Sequence, residues 1–243
     1  MELRGRIGIV TGGGVRVGRA IALGLAQSGV DVFIHYNRSS EPAERTAEEA
    51  RELGVRAAIG SVDLSDPTKA VELVNLAERS LGTSSILVNS ASGFPSDTIA
   101  DVTVEAWRAT LDLTLASPVF ATQAFAAALP DDLDGAVVNI TDVRTRTPYR
   151  EHFSYVVAKG GIDTFTKTAA LQLAPRIRVN AVALGVILPP SQEGGDYAEK
   201  LAAELPLARV GGTEPVVKTV LSLLENDFVT GELIRVDGGG HLV

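Results

Sequence analysis

Tyr155 and Lys159, in the run Tyr155-Val156-Val157-Ala158-Lys159, stand four residues apart, which puts a phenol and an ammonium on one face of a helix. A free phenol titrates near ~10 and exchanges protons poorly at neutral pH. A cation one turn away favours the phenolate, so the Tyr155 pKa is expected to fall towards the working range. The same lysine can hydrogen-bond a sugar hydroxyl. Asp142 stands thirteen residues before Tyr155, directly after the apolar stretch Ala136–Ile140 and Thr141. Acid, phenol and amine together make a set for moving one proton to or from a small molecule.

A second cluster suits an anion. Thr11-Gly12-Gly13-Gly14-Val15-Arg16-Val17-Gly18 follows the apolar run Ile7–Val10. Glycines between a strand and a helix let the backbone turn sharply and approach a pyrophosphate at the helix N-terminus; without a ligand the same residues make only a flexible turn. The next strand ends in His35-Tyr36-Asn37-Arg38-Ser39-Ser40, with no carboxylate before Glu41. An acid there would hold the ribose hydroxyls of NAD; Arg38, Ser39 and Arg16 instead suit a 2′-phosphate, which favours NADP over NAD. Asp63, followed by Leu64, is open to two readings, an acceptor for an adenine amino group or a loop-capping acid.

The elements that position these groups alternate. Strands are predicted over 7–10, 31–35, 57–62, 86–89, 136–140, 178–182 and 233–236. Helices are predicted over 18–28, 41–53, 67–81, 104–129, 155–173 and 214–225. Short apolar strands separated by long helices mean parallel neighbours joined by crossovers, with helices on both faces of the sheet. The fold class is α/β, a single Rossmann-type doubly wound parallel sheet. The polar, glycine-containing stretch 189–208 follows a strand end, where such sheets bind ligands; it reads either as a lid or as a plain surface loop.

Composition narrows the classes. The chain has 243 residues, of which 22 are Lys or Arg and 30 Asp or Glu, a net charge of −8. That balance argues against nucleic acid and against a polybasic membrane surface. There is no cysteine, and His35, His152 and His241 lie far apart, so no metal site is expected. No apolar run approaches the ~18 residues of a membrane span. The opening MELRGRIGIVTGG runs into a strand without a secretion signal's apolar stretch, so a cytoplasmic protein is expected.

Taken in order, these landmarks resemble the short-chain dehydrogenase/reductase family over nearly the whole chain. The family's glycine turn appears as TGGGVRVG, its adenine-contacting acid as Asp63, and its NNAG stretch as Asn89-Ser90-Ala91-Ser92. Its Tyr-x-x-x-Lys pair is Tyr155 and Lys159, its RVNAVxPG stretch is Arg178–Gly185, and its ending is Thr230-Gly231 with Val236-Asp237-Gly238-Gly239. The resemblance implies one NADP-binding domain over 1–243, a homotetramer and a small-molecule substrate. It also implies cofactor contacts from Gly12, Arg16, Val17, His35, Tyr36, Asn37, Arg38, Ser39, Asp63, Leu64, Asn89, Ala91, Ser92, Tyr155, Lys159, Gly185 and Ile187.

The departures are informative. Arg16 replaces the family's middle glycine, Asp142 its catalytic serine, Thr114 its helix asparagine and Leu184 a proline. Arg16, Asp142 and HYNRSS together resemble the pteridine reductase branch, whose catalytic set is Asp-Tyr-Lys. Phe94 matches an aromatic residue that stacks on the pterin, although a hydrophobic residue tucked under a loop is an equal reading. Ser92 matches a serine contacting cofactor or substrate, and Arg16, Ser92, Phe94 and Tyr155 are the expected substrate contacts. The resemblance implies NADPH-dependent reduction of a dihydropterin (dihydrobiopterin, dihydromonapterin or dihydrofolate), with Tyr155 delivering the proton, Lys159 aiding it and Asp142 relaying it. Two alternatives stand: a carbonyl or 3-oxoacyl-(acyl carrier protein) reductase of the same family, and a catalytically weak NADP-binding regulator. Arg144, Arg146 and Arg150 are read as solvated loop cations in preference to receptors for an anionic tail.

Overall fold

A computed structural model describes residues 1–189 and 200–243. Its seven parallel strands are β1 (Ile7–Val10), β2 (Asp31–Tyr36), β3 (Ala57–Ser61), β4 (Ile86–Asn89), β5 (Gly135–Asp142), β6 (Ile177–Leu184) and β7 (Leu233–Val236). They lie in the order β3-β2-β1-β4-β5-β6-β7. The order reverses between β1 and β4, and in such sheets the crevice beyond the carboxyl ends of the strands at this point receives ligands.

The strand residues alternate between two apolar cores. Val10, Val32, Ile34, Ile86 and Val88 face α1 (Arg16–Gln27), α2 (Ser40–Glu52) and a late helix, α7 (Glu214–Glu225). Ile9, Phe33, Leu87 and Val137 face α3 (Ala70–Leu81), α5 (Ser117–Ala128) and α6 (Phe153–Leu173). Both faces are covered, which is why the strands read as unbroken apolar runs instead of alternating polar and apolar residues.

Three boundaries differ from the sequence reading in ways that matter. β5 runs to Asp142, so this acid is the last residue of a strand and not part of a loop. The predicted helix 104–129 is α4 (Val104–Leu111) and α5 joined by a π-helical turn over Asp112–Ala116, a distortion frequent at functional sites. The predicted helix 67–81 opens with a 3₁₀ turn at Pro67–Lys69, where Asp66 caps the Thr68 N–H. Of the candidate lid 189–208, residues 190–199 lie outside the described residues; 200–203 are helical. Among the described residues no helix is long and apolar enough to cross a membrane, and no group of His, Cys, Asp and Glu could hold a metal ion.

Candidate active site

The glycine turn joins β1 to α1 and is packed too closely for side chains. Gly12 has φ +64, and a Cβ on it would lie 3.1 Å from the Ala91 Cα. A Cβ on Gly18 would lie 2.2 Å from the Gly12 carbonyl oxygen. Arg16 has φ 52, the left-handed conformation that costs an ordinary residue about 1 kcal/mol, at the position where the family resemblance expects glycine. No side chain caps α1 and no acid lies in its first turn. The free N–H groups and positive end of the helix dipole therefore face the crevice.

Thr11 and His35 hold this turn from beneath. The Thr11 Oγ1 accepts from the backbone N–H groups of Ser90 and Ala91 at 2.9 and 3.0 Å, fixing the loop after β4 against the turn. His35 is buried, and its Nδ1 accepts the Gly12 N–H at 3.2 Å. Its other nitrogen must then carry the proton, which it donates to the Val62 carbonyl at 2.8 Å. Burial pushes the His35 pKa down, in keeping with this neutral tautomer. Both ring nitrogens are occupied, so His35 shapes the turn from behind.

Past β2, Asn37 and Arg38 are exposed and Ser39 half-buried, and the Arg38 charge acts on the Asp63 carboxylate. Asp63 makes the contacts of a loop-capping acid. Its Oδ1 accepts from the Ser65 N–H and hydroxyl and from the Asn37 amide, and the Ser65 bonds hold its carboxyl below the usual range. The residue is exposed to solvent. Leu64 is buried beneath it. Asn89 commits its side-chain amide to Asn139 and Thr122 inside the sheet, so only its backbone is presented to a ligand. Ala91 abuts Gly12, while Gly185 and Ile187 follow β6 at the same end of the sheet. Arg16 reaches across the crevice to the Pro189 carbonyl at 2.9 Å. A glycine cradle, a helix N-terminus and the Arg16 and Arg38 guanidiniums suit a phosphate-bearing dinucleotide.

The proton-carrying groups meet between β5 and α6. The Tyr155 hydroxyl donates to the Asp142 Oδ2 at 2.8 Å, and the Asp142 Oδ1 accepts the Arg144 N–H at 2.8 Å. Burial raises the Asp142 pKa. The expected lowering of the Tyr155 pKa by Lys159 is not what the structure shows. Burial, and then the negative charge of Asp142, push the phenol well above 10. Lys159 is itself buried and donates a hydrogen bond to the Ile140 carbonyl at 2.7 Å, and burial brings its pKa down to about 8. Spacing alone placed the ammonium on the right face; the strand carbonyl that captures it is a tertiary feature.

Phe94 is 53% exposed, not tucked under a loop. Its ring lies edge-on to Tyr155, with centroids 4.8 Å apart, and stacks on His152 at 3.8 Å. His152, which the sequence reading passed over, has φ 60 and its Nδ1 is 2.7 Å from the Pro95 carbonyl. Asp97 ties the same loop to the start of α6, accepting the Ser154 N–H and hydroxyl. Arg144 lies over the Tyr149 ring at 4.9 Å, so it is part of this aromatic wall, whereas Arg146 and Arg150 are exposed. Thr114 is buried in the π-turn, 3.4 Å from the Ser92 hydroxyl.

A family model described as enoyl-(acyl carrier protein) reductase matches residues 14–241. The chain is similar to the crystal structure of FolM alternative dihydrofolate reductase 1 from Brucella suis in complex with NADP. Identity is 36%, the TM-score is 0.95, and the match covers 100% of this chain and 97% of that one. The Brucella canis protein of the same name, also with NADP, matches at 36% identity with a TM-score of 0.93 over the same shares. A 3-oxoacyl-[acyl-carrier-protein] reductase from Synechocystis is 32% identical over 98% of this chain and 97% of its own length.

Proposed function

The chain belongs to the short-chain dehydrogenase/reductase family, and from that premise we propose that it reduces a dihydropterin to the tetrahydro form with NADPH. The observation that carries this reading is the Asp142–Tyr155 hydrogen bond with the Phe94 ring set edge-on against it. An exposed phenyl face beside a proton-carrying pair suits a flat heterocycle whose ring nitrogen must gain a proton.

Gly12, Val17 and the start of α1 would hold the pyrophosphate, with Arg38, Ser39 and Arg16 beside the 2′-phosphate and the Asp63 carboxylate towards the adenine. When bound, NADPH supplies the hydride. Asp142 and Tyr155 supply the proton as a unit. The Tyr155 phenol, which burial and the Asp142 charge keep protonated, passes its proton on, and the Asp142 carboxylate that accepts its hydrogen bond relays the replacement. Lys159, anchored on Ile140, keeps a positive charge beneath the pair and is placed to meet a ribose hydroxyl. The FolM neighbours named as alternative dihydrofolate reductases support the pterin assignment, and their NADP complexes support the cofactor.

Ketone reduction is the second reading. Its support is the Tyr155 hydroxyl, which can donate to a developing alkoxide, together with the relative named as a 3-oxoacyl reductase. A panel of dihydrobiopterin, dihydromonapterin, dihydrofolate, a 3-oxoacyl thioester and simple ketones, followed by NADPH oxidation, separates the two. Turnover of a pterin is expected. Turnover confined to ketones or thioesters overturns the pterin assignment, and NADPH binding without turnover of any of them would mark a regulator. The proposed setting is a homotetramer in the cytoplasm, and sedimentation velocity tests the assembly.

A further inference from the structure

We propose that Asp163 is a positioning residue for proton transfer, because its carboxylate clamps the end of β5 and the turn after it onto the catalytic face of α6. Tyr155, Lys159 and Asp163 recur every four residues and form one stripe along the helix. Each grips a different part of the same short segment. The Tyr155 hydroxyl bonds Asp142, the Lys159 ammonium bonds the Ile140 carbonyl, and the Asp163 Oδ1 accepts the Thr141 hydroxyl at 2.7 Å. Three consecutive strand residues are thus tied to three successive turns of one helix.

The second carboxylate oxygen extends the clamp. The Asp163 Oδ2 accepts the Thr145 hydroxyl at 2.7 Å, and Thr145 ends the 3₁₀ turn Val143–Thr145. That turn also supplies the Arg144 N–H that holds the Asp142 Oδ1. Asp163 therefore fixes both flanks of Asp142 without touching it. Its charge has a second effect. The ionisable groups acting on the buried Lys159 ammonium are Asp142 from β5 and Asp163 from α6, and both oppose the loss of its proton.

The inference rests on the reading of Asp142, Tyr155 and Lys159 as the proton-transfer set, and its main test needs no substrate. Lys69, Lys159, Lys167, Lys200 and Lys218 are the only lysines, so carbon-13 NMR of labelled lysine side chains can follow Lys159 through a titration. Asp163→Asn keeps a group that accepts from one threonine and donates to the other, but removes the charge. The Lys159 midpoint, near 8 in the wild type, is expected to fall by roughly 0.5 or more, with NADPH affinity within about twofold of wild type. The basic limb of the kcat–pH profile should fall with it for any substrate the panel identifies. Asp163→Ala, which removes the clamp as well, should lower kcat by a further factor of about 10. A Lys159 midpoint unmoved in Asp163→Asn overturns the charge effect, and a kcat no lower in Asp163→Ala than in Asp163→Asn overturns the clamp. If the midpoint moves while no pterin is reduced, Asp163 keeps its role and the pterin assignment fails instead.

Discussion

The Tyr155 hydroxyl donates a hydrogen bond to the Asp142 Oδ2 at 2.8 Å, and this bond couples the proton affinities of the two groups. Neither has a proton affinity that belongs to it alone. Removing either partner should therefore damage the same step. Tyr155→Phe and Asp142→Asn are each expected to lower kcat by roughly 10²-fold or more while leaving the NADPH dissociation constant within a few-fold. The double variant should be little worse than the poorer single one, because the pair acts as a unit. Stopped-flow hydride transfer beside equilibrium fluorescence titration checks both halves; multiplicative losses in the double variant would contradict the coupling.

Cofactor choice follows from the end of β2. Arg38 is exposed beside Asn37 and Ser39, where no carboxylate waits for a ribose hydroxyl. Arg38→Ala should weaken NADPH binding by about tenfold or more, the loss of a charge-assisted bond, and change NADH binding by less than about twofold. Equal weakening of both nucleotides would remove Arg38 from the 2′-phosphate.

The buried lysine predicts how stability changes with pH. Lys159 titrates near 8 when folded and near 10.5 when exposed, so between these values the unfolded chain binds more protons than the folded one. Stability from this group therefore rises with pH across that window, by at most about 3 kcal/mol. Above pH ~10 the trend is opposed, since the unfolded Tyr155 loses a proton that the folded one keeps. Urea midpoints from pH 7.5 to 10, compared between wild type and Lys159→Met, should show this slope only in the wild type.

His35 gives a slope of the same sign on the acidic side. Its folded pKa lies below 6.5, and a proton added to Nδ1 abolishes the bond from the Gly12 N–H. As pH falls below 6.5 the unfolded chain takes up this proton first, so stability is lost on acidification and the cofactor turn loosens. NADPH affinity measured from pH 8 to 5 should weaken more in wild type than in His35→Asn. The comparison cancels any titration of the nucleotide's own phosphate.

Much of the architecture was legible because it depends on local pattern. Apolar runs such as Ile86–Asn89 can be buried only between two layers of helices, and thirteen residues separate Asp142 from Tyr155 in a way that a strand and a following helix can close. What stayed hidden depends on contacts between distant segments. Nothing local announces how deeply the Tyr155 phenol is buried or that the Asp142 charge faces it, and these reverse the direction of its shift. His152 carried no signal because its left-handed backbone is imposed by the Pro95 carbonyl and the Phe94 ring. Asp163 did have a trace in the sequence, the four-residue stripe shared with Tyr155 and Lys159. Its meaning emerges only when Thr141 and Thr145 are seen at its two oxygens.

The strand order carries a consequence for the life of the chain. β1, which bears the glycine turn, pairs with β4, and Asp142 lies at the tip of β5, against β6. On a ribosome the phosphate cradle emerges before the segments that complete the crevice, which come from the later half of the chain. Every parallel pairing needs a crossover, so these contacts form late and slowly. A nucleotide that recognises the finished crevice binds only fully folded molecules and stabilises them by mass action. The cellular supply of its cofactor would then govern how much of this protein survives, as well as how fast it works.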